Sequence, residues 1–196
     1  MEKRRSRVSR KTTETQIELS LSLEGEGQAD VSTGIPFLDH MLTLFARHGW
    51  FNLMVKAQGD LEVDGHHTVE DIGLCLGEAL KKALGDKRGI RRYGSAVLPM
   101  DETLVLVAVD LSGRPYLSLD LPLETEKIGS FETELVGEFL RAFSTKGEFN
   151  LHVKTLSGGN SHHLVEALFK GMSRALADAC APEPRSTGIP STKGVL

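Results

Sequence analysis

Two stretches of the chain place adjacent histidines at the head of an apolar helical pattern, with a glutamate one turn further on. They are His66, His67 and Glu70 in DGHHTVEDIGLCL, and His162, His163 and Glu166 in GNSHHLVEALFK. On a helix, residues three and four apart share a face, so either imidazole can act together with the carboxylate. Consecutive residues point ~100° apart around the axis, so the two rings of a pair are expected to feed different ions. Imidazole with carboxylate suits manganese, iron, zinc or nickel, and the lack of a thiolate near the motifs disfavours a structural zinc cage. One such motif alone reads as a capped surface helix. Four histidines and two glutamates at equivalent positions read as a dinuclear metal site. Asp64 and Asn160 are good capping types that need no catalytic role.

Other residues could join this chemistry. His40 in FLDHML lies 98 residues before Glu138 in LVGEFL (40 to 138), so both are further candidate ligands. His152 falls inside a strand pattern, where Met54 is its counterpart, and reads as a packed strand residue. His48 precedes the glycine that ends a helical pattern and suits the negative helix end. Arg92 in GIRRYGS, Arg114 in LSGRPYL and Lys193 in PSTKGVL each stand at an element boundary beside glycine or proline. Singly they read as solvated surface. The hydroxyls, glycines and lysine of STGIPSTKGVL could wrap an oxyanion, which suggests a phosphate pocket.

The elements that must position these residues occur twice. FNLMVK (51–56) and FNLHVK (149–154) agree at five of six positions. A helical pattern ending in glycine precedes each copy, at Gly49 and Gly147, where glycine suits a left-handed position. A glycine-containing loop, the histidine pair and a second helix follow. Upstream, TQIELSLSLEG and TLVLVAVDLSG alternate as half-buried strands, with QADVSTG and RPYLSLDLP as their returning partners. The expectation is an α+β fold of two halves about a pseudo-twofold axis, each a small sheet with two helices packed on one face. The boundaries are 1–12 as a mobile basic tail, 13–93 and 94–182 as the half-repeats, and 183–196 as a C-terminal tail.

The 196 residues, 40% hydrophobic and 26% charged, are enough for a substantial core. A net charge of -4 argues against nucleic acid as the main partner, although Lys3, Arg4, Arg5, Arg7, Arg10 and Lys11 cluster near the start. No apolar run is long enough to span a membrane and no secretory pattern opens the chain, so a cytoplasmic protein is expected. Cys75 and Cys180 sit in apolar helical patterns and read as packing residues.

Taken in order, GIPFLDHML, DGHHTVED, LDLSGRPYL, GNSHHLVEALFK and PSTKGVL resemble the imidazoleglycerol-phosphate dehydratase family over nearly the whole chain. The resemblance implies a duplicated fold of the ribosomal-protein-S5-domain-2-like kind. It implies two Mn2+ ions per active site and a homo-oligomer of 24 subunits built from trimers, with sites between subunits. It also implies a hydro-lyase of histidine biosynthesis, which eliminates water from imidazole glycerol phosphate through a di-metal-bound imidazolate to give imidazole acetol phosphate. The family's metal ligands fall on His40, His66, His67, Glu70, His162, His163 and Glu166. Glu138 stands where many members have histidine. The catalytic glutamate falls on Glu14 and the phosphate-binding residues on Arg92, Arg114, Ser191 and Lys193, while Asp101 and His48 match further pocket positions. Two other readings suit the same residues: a two-metal hydrolase, and a non-catalytic assembly protein stapled by metal.

Overall fold

The computed structural model of the protein describes residues 4–196. Lys3, counted above in the basic cluster, lies outside the described residues. The first half runs β1 (Arg5–Lys11), β2 (Thr15–Ser22), β3 (Ala29–Ser32), α1 (Pro36–Gly49), β4 (Asn52–Gly59) and α2 (His66–Leu84). The second half repeats this order as β5 (Tyr93–Met100), β6 (Thr103–Asp110) and β7 (Tyr116–Asp120). A short hairpin, β8 (Lys127–Ile128) and β9 (Phe131–Glu132), then precedes α3 (Leu135–Gly147), β10 (Asn150–Ser157) and α4 (Ser161–Cys180). The two halves form sheets of order β1-β2-β4-β3 and β5-β6-β10-β7, so the duplication legible in the sequence is the architecture of the chain.

Strand alternation decides which face of each sheet is covered. Ile17, Leu19 and Leu21 on β2, and Val105, Val107 and Val109 on β6, are buried against helices, while the residues between them face outward. The helices then pack crosswise, α1 against α4 and α2 against α3, which places them between the sheets. Phe45, Phe139, Phe143, Phe149 and Phe169 meet there, each nearly or fully buried. Burial of each such side chain stabilises the fold by roughly 1.5–3 kcal/mol. The α2–α3 approach depends on Gly73 and Gly77: a Cβ on Gly73 would lie 2.8 Å from the Phe139 carbonyl oxygen, and one on Gly77 2.6 Å from that of Phe143.

Three expectations need correction. The basic segment expected to be a mobile tail is strand β1 from Arg5 onward, antiparallel to β2 from Arg5 opposite Ser22 to Lys11 opposite Gln16. It is held by buried Val8 and by ion pairs from Arg4 to Glu24, Arg7 to Glu18 and Arg10 to Asp71. The first half therefore begins at β1, whose counterpart is β5. Next, QADVSTG and RPYLSLDLP are not hairpin partners of β2 and β6. As β3 and β7 they lie parallel to β4 and β10, the crossover that parallel pairing requires being supplied by α1 and α3. Finally, Gly49 and Gly147 are helical; the left-handed residues are Trp50 and Glu148. Glycine is needed for room, because a Cβ on Gly49 or Gly147 would strike the ring of Phe51 or Phe149.

Cys75 and Cys180 are buried and unpaired, and burial pushes both thiols up to about 12, as expected of packing residues. Among the described residues no helix is long and apolar enough to cross a membrane.

Candidate metal centre

The N-terminus of α4 is set by Asn160, whose side-chain oxygen accepts from the backbone N–H of His162 (2.9 Å) and of His163 (3.3 Å). Asp64 does the same for His66 at the start of α2, at 2.7 Å. Both histidine pairs therefore sit in the first turn of a helix, with their rings splayed. The ring planes of His162 and His163 are 85° apart and those of His66 and His67 82°, so the members of each pair point in different directions.

His162 turns toward α1. Its Nε2 is 3.1 Å from Glu166 Oε2, and His40 Nε2, brought in by the α1–α4 packing, is 3.3 Å from the same oxygen. Glu166 also pairs with Lys170 Nζ at 2.5 Å. Burial raises the Glu166 carboxyl, but Lys170, His162 and His40 more than offset this and hold it below the ordinary range. A ligand atom from each of His40, His162 and Glu166 lies within 4.8 Å of the others. That spacing and the imidazole–carboxylate chemistry fit a divalent cation.

His163 turns the other way. Its Nδ1 lies 2.9 Å from Glu102, leaving Nε2 facing outward with Asp101 at 4.0 Å. His67 is arranged alike: Nδ1 is 3.0 Å from Asp60, and Nε2 faces Glu14 at 3.8 Å. A carboxylate on one ring nitrogen sets the tautomer and presents the other nitrogen to a metal, the support that ligating histidines usually have. Asp60 and Glu102 are absent from the set read off the sequence. The signal for Glu102 was there, since Glu102-Thr103 repeats Glu14-Thr15 at the head of the equivalent strand. Hydrogen bonds from His163 and from the backbone hold the Glu102 carboxyl down to about 2.

The structure does not bring every candidate together. A second group of possible ligand atoms joins Asp101, Glu102 and His163, and among the described residues His66, His67, Glu70 and Glu138 belong to neither group. Glu138 lies on α3, the helix that packs on α2, and faces Arg141 at 3.6 Å. His48 lies in the last turn of α1, where burial together with Lys170 and Arg174 lowers its pKa. His152 is not packed within its strand; it is exposed on β10, against Tyr116.

The anion candidates gather elsewhere. Arg92 donates to both oxygens of Asp110 (2.7 and 3.2 Å) and to the carbonyl of Pro190 (2.8 Å), tying the C-terminal segment to the sheet. The segment continues past Ser191 and Lys193 and ends against Gly113, next to Arg114. These residues stand where β5 starts and β6 ends, whereas His163, Asp101 and Glu102 stand at the opposite end of the same strands. Eight residues of β5 separate the two groups, about 25 Å at the usual rise. One chain thus carries both sets of groups without uniting them.

Residues 33–176 match the family model described as imidazoleglycerol-phosphate dehydratase. The protein of that name from Moorella thermoacetica is 60% identical over 193 residues, covering 98% of both chains. That from Acetivibrio thermocellus is 58% identical over 193 residues, covering 98% of this chain and 99% of the relative. Among solved structures, the Staphylococcus aureus enzyme of the same name aligns with a TM-score of 0.83 and 43% identity, over 91% of this chain and 99% of that one. The Pyrococcus furiosus structure aligns with a TM-score of 0.84 and 39% identity, over 96% and 100%.

Proposed function

The chain belongs to the imidazoleglycerol-phosphate dehydratase family and is a hydro-lyase of histidine biosynthesis, and on that premise we propose how its residues divide the work. The substrate is imidazole glycerol phosphate and the product imidazole acetol phosphate. His40, His66, His67, Glu70, Glu138, His162, His163 and Glu166 would hold two Mn2+ ions per site. Such ions would supply Lewis acidity that favours the deprotonated form of the substrate's heterocycle and so the departure of the side-chain hydroxyl.

The protein's own groups do the rest. Glu14 faces His67 Nε2, so its carboxylate would take the proton from the carbon adjacent to the one that loses its hydroxyl, leaving an enol that tautomerises to the ketone. Arg92, Arg114, Ser191 and Lys193 hold the phosphate and fix the distance between the two ends of the substrate. Asp101, 4.0 Å from His163 Nε2, and His48, whose pKa is lowered by burial and by Lys170, would line the pocket. The carrying observation is the strand-length gap between the histidine cluster and the anion-binding end, which supports a site completed by another subunit. A closed assembly of 24 subunits built from trimers, working in the cytoplasm, satisfies that requirement.

Glu14→Gln tests the assignment. Metal content and substrate affinity are expected to hold while turnover falls about 10²–10⁴-fold. Retained turnover removes Glu14 from the role. Product identity separates the rival chemistry: a ketone with phosphate retained is expected, and release of inorganic phosphate would mark a hydrolase.

A further inference from the structure

The strand registers give a residue-by-residue correspondence between the halves. Ser22 faces Asn52 as Asp110 faces Asn150, which matches Thr15 with Thr103 and Glu14 with Glu102. Arg10 opposite Ile17 matches Leu98 opposite Val105. The histidine motifs match Asp71 with Ala167, and the ends of β4 and β10 match Asp60 with Gly158.

Glu14 and Glu102 differ sharply in what holds them. Glu102 accepts from His163 Nδ1 (2.9 Å), from Thr103 Oγ1 (3.0 Å) and from the Asn160 N–H (3.2 Å). In the first half the two matching side-chain donors are taken. His67 Nδ1 pairs with Asp60, and Thr15 Oγ1 donates to Asp71 Oδ2 at 2.5 Å. Among the described residues the Glu14 carboxylate accepts no hydrogen bond and only faces His67 Nε2. Asp71 is 7% exposed and Thr15 4%, and Arg10 Nε lies 2.8 Å from the other Asp71 oxygen. The second half fills the same places with Leu98 and Ala167. The fold therefore needs only packing there, and an ion pair whose arginine is 41% exposed adds little stability.

Resting on the assignment of Glu14 above, we propose that Asp71, together with Asp60, is a positioning residue: it draws the Thr15 hydroxyl away and leaves Glu14 an unengaged base. The duplicated carboxylates have thus divided their duties, Glu102 bracing a histidine and Glu14 serving the reaction.

The double variant Arg10→Leu/Asp71→Ala copies the second half's own packing and frees the Thr15 hydroxyl to engage Glu14. Its kcat is expected to fall about tenfold, with KM within about twofold and with manganese content and melting temperature near wild type. Adding Thr15→Val removes the competing hydroxyl and should return kcat to within about threefold of wild type. An unchanged kcat in the double variant, or a triple variant no faster than the double, overturns the proposal. So does a loss that follows KM or metal content. Asp71→Asn keeps an oxygen for Thr15 and should stay within about threefold of wild-type kcat. A collapse in that variant with the fold intact refutes the role even if the double variant fails to fold. Glu14→Gln in parallel separates the two ideas: if it turns over normally the catalytic assignment falls, and if it is inactive while the double variant is normal only the positioning role falls.

Discussion

Glu166→Gln offers a sharp thermodynamic test of the metal centre, because Glu166 joins His40, His162 and Lys170 at one buried carboxylate. The change is nearly isosteric, so packing survives and two losses remain. Without metal, the charge-assisted contact with the partly exposed Lys170 weakens, costing about 1 kcal/mol after solvent screening. With metal, an anionic ligand becomes a neutral one, and a loss of about 100-fold in affinity is expected, at the upper end of what even supporting groups contribute. At Mn2+ set to 100 times the wild-type dissociation constant, binding stabilises the folded wild type by about 2.7 kcal/mol. The same concentration then equals the variant's dissociation constant and gives only about 0.4 kcal/mol. For a chain of this size each kcal/mol moves the melting temperature by about 2–4 °C. The manganese-induced rise should therefore drop from about 5–11 °C in wild type to about 1–2 °C in Glu166→Gln. Differential scanning calorimetry with and without EDTA measures both. An equal rise in the two proteins would remove Glu166 from the ligand set, and a large drop in the EDTA-treated variant alone would make it structural.

Glu138→Ala should weaken one manganese site about tenfold by equilibrium dialysis, and an unchanged isotherm would show that this carboxylate serves only Arg141. Lys193→Ala should raise KM more than it lowers kcat, since a uniform contact to a remote phosphate stabilises substrate and transition state alike; a pure kcat loss contradicts that reading. Cys75 and Cys180, with thiols pushed up to about 12, should not react with a thiol reagent at pH 8 until denaturant is added. Rapid labelling of the native protein would mean that one of the two helices opens.

The histidine pairs, the internal repeat and the N-terminal helix caps were legible because each is written in local spacing. The splay of each pair follows from helical geometry alone, and the structure repeats it on α2 and α4. What stayed hidden depends on contacts between distant segments. The pairing of β3 with β4 is invisible in QADVSTG, since a short edge strand carries no mark of its neighbour's direction. The charges of β1 hid a strand because an edge strand needs only one buried side, here Val8.

The two halves share the histidine motifs but differ in the groups around them, and this also limits what a repeat can reveal. Repeat matching paired His40 with Glu138, but crosswise packing sends them to different places. His40 rides on α1 to meet Glu166 on α4, whereas Glu138 rides on α3 toward α2. The carboxylate that braces each histidine pair is likewise drawn from different positions, Asp60 after β4 and Glu102 before β6. Duplication supplied two equal scaffolds. Positions 71 and 167 hold aspartate in one half and alanine in the other, and on the proposal above that difference leaves Glu14 open while Glu102 braces His163. Those substitutions look like ordinary drift in sequence, and only the hydrogen bonds they redirect show that the halves have taken separate tasks.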